Sequence, residues 1–221
     1  MNSSDKRHWL ITAFEPFGGR TNNNSKTVMD ELVNLSARFE PNPEDALVFH
    51  CRVLPVEYDR CATQIFDEIA RLQSMGIRLE GVLSLGEGAE EFKLETQANN
   101  LDDVPDFADN RGVIRTGRKI YDDLDEDAVI PLRFPFEAFS RIRSSKNPGF
   151  FVCNHLCARV GRELAARQES ETDAPWFGFI HVPREGMGGI FTADVCASII
   201  LNGFKRLRRK APFSEAPDMH R

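Results

Sequence analysis

The chain has 221 residues, with 28 Lys+Arg against 34 Asp+Glu for a formal net charge of −6, and is 41% hydrophobic and 28% charged. That composition excludes a disordered or fibrous protein, and a chain of this length buries roughly 70% of its unfolded surface, core enough for the single α/β domain expected over residues 1–221. The acidic balance argues against a nucleic-acid partner, whose phosphates are held by Lys and Arg, and without an 18-residue apolar run nothing is expected to span a membrane.

Residues 8–14 (HWLITAF) form the first short apolar run bounded by turn formers, the pattern of a buried strand. A helix is expected over residues 25–39, and a second strand over 46–53 (ALVFHCRV). A second helix is expected over 59–75, with Ile65, Phe66, Ile69 and Leu72 on one stripe before Gly76. A third strand, 81–85 (GVLSL), precedes the acidic, Gly/Pro-punctuated segment 101–127, which reads as a long irregular surface excursion. Residues 150–152 read as a short strand feeding a helix, and 177–182 (FGFIHV) as another buried strand. Thr192 is expected to cap a last helix with a stripe of Val195, Ile199, Ile200 and Phe204, ending in KRLRRK, where cations suit the negative end of the helix dipole. Strands alternating with helices predict an α/β fold around a largely parallel sheet.

The N-terminal stretch is cut by Glu15 before it can form a signal-peptide core, and the five cysteines are odd in number and scattered. Reduced thiols in a cytoplasm are therefore expected, most of them acting as small buried hydrophobes. Cys153 stands out because it falls where the chain enters a helix. There the helix dipole and unpaired N–H groups favour thiolate and offer donors to an oxyanion, although the same position suits the first core residue of an amphipathic helix. Cys153, His155 and Cys157 do not make a metal site, because on a helix His155 points roughly away from the two cysteines. His181 ends a strand just before Pro183, at the carboxyl edge where open α/β sheets place ligands, or else is a satisfied core histidine. Glu95 alternates with apolar neighbours in FKLE, so it leaves the core face for a cleft or for solvent. Neither GxxxxGK[ST] nor GxGxxG is present.

Taken together, FEPFGG from Phe14, an N-x-S at Asn23, LPVEY from Leu54, E-x-x-A-x-N from Glu95, G-x-x-V-C-N from Gly149 and GFIHVP from Gly178 resemble, in that order, the pyroglutamyl peptidase I family. The resemblance implies a three-layer α/β/α sandwich and a cysteine peptidase that removes N-terminal pyroglutamyl residues from peptides without metal or organic cofactor. Carried over by motif, it implies Cys153 as nucleophile, His181 as base and Glu95 as the carboxylate orienting the imidazole. Phe14 and Phe17 match the family's ring-sandwiching phenylalanines, and Asn23 matches its pocket asparagine. The family is often dimeric or tetrameric, which the resemblance allows here.

The chain also departs from the family pattern. Gly88 and Ala89 stand where a Gly-Arg pair is usual, and Pro105 stands where an arginine follows the glutamate. Ala13 replaces a glycine, Asn24 a proline and Leu85 a frequently polar position, while the segment VPREGMGGIF is short. Arg111 and Arg115 are candidates to substitute for the missing arginine. The departures leave open two other functions: a pyroglutamyl-binding protein impaired in catalysis, and the same mechanism turned on another blocked N-terminus.

Overall fold

Alternation along the central strands decides the architecture of this computed structural model, which describes residues 6–38, 46–170 and 174–207. In β1 (Arg7–Phe14), Leu10 and Phe14 enter one apolar core while Trp9, Ile11 and Ala13 enter another, so the strand is buried on both faces. β3 (Leu79–Glu87) divides in the same way, Val82 to the first core and Leu83 and Leu85 to the second. So does β10 (Trp176–Val182), with Phe177 and Phe179 against Ile180 and Val182. These strands lie in one six-stranded sheet of order β2-β1-β3-β10-β4-β9, where β2 is Leu47–Leu54, β4 is Lys93–Glu95 and β9 is Arg143–Ser145. All neighbours pair parallel except β10 and β4.

Helices cover both faces. α2 (Cys61–Ser74) and α3 (Val152–Ser170) close the first core, and α1 (Asn24–Arg38) and α4 (Ala193–Arg206) close the second, which gives the expected three-layer α/β/α arrangement. α4 buries Cys196, Ala197, Ile200, Leu201 and Phe204, a face rotated slightly from the expected stripe. Lys205 and Arg206 lie in its last turn as expected, and the rest of the basic run beyond Leu207 falls outside the described residues. No helix among the described residues is long and apolar enough to cross a membrane.

Three local expectations are corrected. Residues 150–152 are not a strand: the chain bends at Phe150 and Phe151, and α3 begins at Val152. Gly149, at φ 81°, turns the backbone out of the extended region, and Phe151 packs on other rings instead of joining a ladder. The segment 101–127 is not an irregular loop either. It contains the antiparallel pair β6 (Leu101–Val104) and β7 (Arg115–Lys119), and it buries Asp102 and Arg115 against each other at 2.8 Å. A second small pair, β5 (Gln97–Asn99) with β8 (Val129–Pro131), closes its base. Finally, Cys51 is exposed on the edge strand β2, while Cys61, Cys157 and Cys196 are buried.

Candidate active site

β10 and β4 run antiparallel with Phe179 opposite Glu95 and His181 opposite Lys93. Directly opposed residues share a face, and Phe179 and His181, two apart, share it too, so Glu95 and His181 are diagonal neighbours on the α3 side of the sheet. Their side chains meet there: His181 Nδ1 lies 2.8 Å from Glu95 Oε1, with both groups buried. An ionised carboxylate only accepts, so Nδ1 carries a proton, and in the neutral imidazole Nε2 is the acceptor. Burial by itself would raise the Glu95 pKa. The His181 hydrogen bond and charge, with Ser145 and Lys93, outweigh it and hold the carboxyl below its ordinary value. Lys93 Nζ lies 3.4 Å from Glu95 Oε1.

Cys153 is the second residue of α3 and packs over β3. Gly86, in register with His181, is the contact point: a Cβ there would stand 3.0 Å from Cys153 Sγ and 2.5 Å from the Phe179 ring. The absence of that one carbon lets the thiol settle at the carboxyl ends of β3 and β10. Its acidity runs against the expectation from the helix dipole. Burial first, then the negative charges of Glu95 and Glu87, push the thiol up to about 12, and Lys93 only partly opposes them.

A cavity of about 140 Å³ joins these parts, with Cys153 and His181 on one wall and Phe14, Phe17, Phe151 and Asn23 among its other lining residues. Phe14 is held by its backbone N–H, which donates to Ser25 Oγ. Phe17 sits 6.2 Å from Phe151 on the cavity lining, and Phe107 backs it at 6.0 Å, centroid to centroid. The Asn23 amide donates to the Glu15 carbonyl, and its oxygen accepts from the Ser25 N–H and hydroxyl, so this side chain braces the loop before α1. All six residues singled out in the sequence therefore converge, five of them as cavity lining and Glu95 through His181. Asn24, at the position of a family proline, donates its side-chain amide to the Pro183 carbonyl at 2.6 Å and ties α1 to the end of β10.

Arg111 and Arg115 do not line this cavity. Arg115 is instead tied to Asp59 and Asp102 on the far side of Tyr58's contact with Phe151. Glu87 is the residue missed in the sequence: it is the last of β3, lines the cavity, and accepts from the Asn24 N–H at 2.7 Å and from the Arg20 guanidinium. Its signal was its place at the carboxyl end of a central parallel strand, which the expected boundary at Leu85 cut off.

The profile of one family, described as pyroglutamyl peptidase, matches residues 7–195. The chain belongs to the pyroglutamyl peptidase family. This family comprises cysteine-type exopeptidases. A pyrrolidone-carboxylate peptidase of Streptococcus suis is 29% identical over 182 residues, 79% of this chain and 76% of that protein. One from Chromobacterium violaceum is 27% identical over 188 residues, with the same shares covered. The fold agrees with the crystal structure of pyroglutamyl peptidase I from Bacillus amyloliquefaciens at a TM-score of 0.72 and 19% identity, over 91% of this chain and 94% of that one. It agrees likewise with the pyrrolidone carboxyl peptidase from Thermococcus litoralis at 0.70 and 21% identity, over 90% and 92%. Within the pyroglutamyl peptidase fold, the cavity at the carboxyl edge of β3 and β10 occupies the place where open α/β sheets bind ligands.

Proposed function

We propose that this chain hydrolyses the bond between an N-terminal pyroglutamyl residue and the rest of a peptide, with Cys153 as nucleophile, His181 as general acid and base, and Glu95 as the group that orients His181. The observation that carries the proposal is the buried Glu95–His181 hydrogen bond, at 2.8 Å, ending in the cavity that Cys153 lines. Membership of the pyroglutamyl peptidase family supports the substrate class. The apolar rings of Phe14, Phe17 and Phe151 suit a flat, uncharged lactam that carries no free amine.

Because burial and two carboxylates hold Cys153 as a neutral thiol, attack and proton transfer are coupled in this scheme. His181 Nε2 takes the Sγ proton as Sγ bonds to the pyroglutamyl carbonyl carbon. The carbonyl oxygen becomes an oxyanion close to the first turn of α3, whose N–H groups have no acceptor within the helix. Collapse breaks the C–N bond, and His181 returns its proton to the leaving amine. Water then attacks the thioester while His181 takes one of its protons, and the C–S bond breaks, with the thiol reprotonated as pyroglutamate leaves. Glu95 keeps the proton on Nδ1 throughout and stabilises the transient imidazolium.

A fluorogenic pyroglutamyl amide tests the proposal. Turnover by the purified chain, abolished in Cys153→Ala with the circular dichroism unchanged, is the expected result; no turnover in the parent chain overturns it. The raised thiol and Pro105 at the family's arginine position favour a second reading, a pyroglutamyl-binding protein without efficient turnover. That protein would be thermally stabilised by pyroglutamate yet leave the amide uncut. A panel of differently blocked N-terminal amides separates both from a hydrolase of shifted specificity.

A further inference from the structure

A second cavity, of about 220 Å³, lies between α2, β7 and the first turns of α3 and shares no lining residue with the first. Its character is basic in a chain of net charge −6: Arg115, Arg118, Lys119 and Arg159 all line it. Arg115 is 6% exposed, its two terminal nitrogens donating to Asp102 at 2.8 Å and Asp59 at 2.6 Å, with its guanidinium 4.2 Å over the Tyr58 ring. Among the described residues its Nε, the Tyr58 hydroxyl and one Asp102 carboxylate oxygen are buried without a hydrogen-bond partner, so they lie beneath the cavity surface and not on it. The groups open to a ligand are the cations around the cavity, where Arg118 and Arg159 are exposed.

The surrounding charges say what kind of ligand. Lys119 donates to the carbonyl oxygens of Asp122 and Leu124 and lies in the field of Asp123, which is itself paired with Arg162, and among the described residues neither Arg118 nor Arg159 has an ion-pair partner. Four cations therefore face the carboxylates of Asp59 and Asp102, a surplus of two positive charges. Guanidinium forks match tetrahedral oxyanions, and a surplus of two suits a dianion better than a carboxylate. A cavity of 220 Å³ has room for about seven waters at roughly 30 Å³ each, enough for a phosphoryl group and a small substituent but not for a folded partner.

We propose that this cavity is a binding site for a phosphoryl dianion, taken as inorganic phosphate or as the end group of a small phosphomonoester. Arg118, Lys119 and Arg159 would hold the oxygens above the Arg115–Tyr58 stack. Tyr58 also packs edge-on against Phe151 at 5.5 Å, which gives an occupied site a direct contact with the wall of the first cavity.

The test is calorimetric titration of the full chain with sodium phosphate and, separately, with glycerol phosphate, each against sodium chloride at equal ionic strength. Saturable binding of either compound is expected, weakened at least tenfold in Arg118→Ala/Arg159→Ala, and the two titrations identify the source of the group. Lys119→Ala, which removes a third lining cation, provides a second variant with an expected severalfold loss. Heat no greater than with chloride for both compounds, or affinities unchanged in the double variant, overturns the proposal. The readout is binding, so it stands or falls independently of pyroglutamyl turnover.

Discussion

Replacing Glu87 with Gln should make Cys153 more reactive, although the polar partners of Glu87 among the described residues are Arg20, Asn24 and Arg184 and none is assigned a chemical step. The thiol stands at about 12 against an ordinary 9.0, roughly a thousandfold less thiolate at a given pH. Burial is the largest cause, Glu95 the second and Glu87 the third, so removing the Glu87 charge lowers the thiol by the smallest of the three raising effects. The thiolate fraction rises accordingly. A less basic thiolate is also a weaker nucleophile, and with a Brønsted slope of about 0.4–0.5 each tenfold gain in thiolate is worth about three- to fourfold in rate. Gln is nearly isosteric and can still accept the Asn24 N–H, while Arg20 and Arg184 lose their charged partner, so the fold is checked by circular dichroism. The assay is alkylation by limiting iodoacetamide between pH 7 and 9, read by mass spectrometry of the Cys153 peptide so that exposed Cys51 does not interfere. A folded Glu87→Gln protein alkylated no faster than the parent would refute the electrostatic account of the raised thiol.

Other perturbations probe the same site. Glu95→Gln keeps an acceptor for Nδ1 but removes the charge, so kcat on the pyroglutamyl amide should fall by about 10²–10⁴ with little change in KM, measured by steady-state kinetics. The same variant tests linkage. Glu95's folded pKa lies below its ordinary 4.5, so its stabilisation is complete above the unfolded value and is lost as pH falls through the folded one. The parent's Tm should therefore drop more steeply below about pH 4.5 than that of Glu95→Gln; parallel acid limbs would contradict the shift. Gly86→Ala places a methyl 2.5 Å from the Phe179 ring and 3.0 Å from Cys153 Sγ. It should cost about 1–3 kcal/mol in urea unfolding and nearly all turnover, whereas full activity would mean that the thiol does not rest on Gly86.

Much of the fold was legible because the central strands are buried on both faces and so read as continuous apolar runs, as in residues 8–14 and 177–182. The run at 150–152 looked the same and misled, since a short apolar stretch is also what an aromatic wall looks like, and the Gly149 turn that separates the two is a backbone fact. The segment 101–127 hides its order for a different reason. Its acidity suggested a solvated loop, but Asp102 is buried by pairing with Arg115, thirteen residues on, and a long-range ion pair leaves no periodicity.

The proposed catalytic arrangement is legible in its residue types and not in its electrostatics. Cys153, His181 and Glu95 each stood out locally, but their meeting depends on β4 entering the sheet antiparallel beside β10, so that a residue opposite Phe179 lies diagonal to His181. That same packing encloses the thiol between Gly86 and the sheet edge, where loss of water and the charges of Glu87 and Glu95 overcome the helix dipole. A dipole is worth about 0.3–1 kcal/mol at an exposed helix end, whereas a displacement from 9.0 to about 12 corresponds to ~4 kcal/mol, so position on the helix could not decide the thiol's state. The work of activation therefore passes to His181, whose Nε2 must take the proton at the moment of attack, and this makes the Glu95–His181 hydrogen bond the determinant of rate in the proposed mechanism.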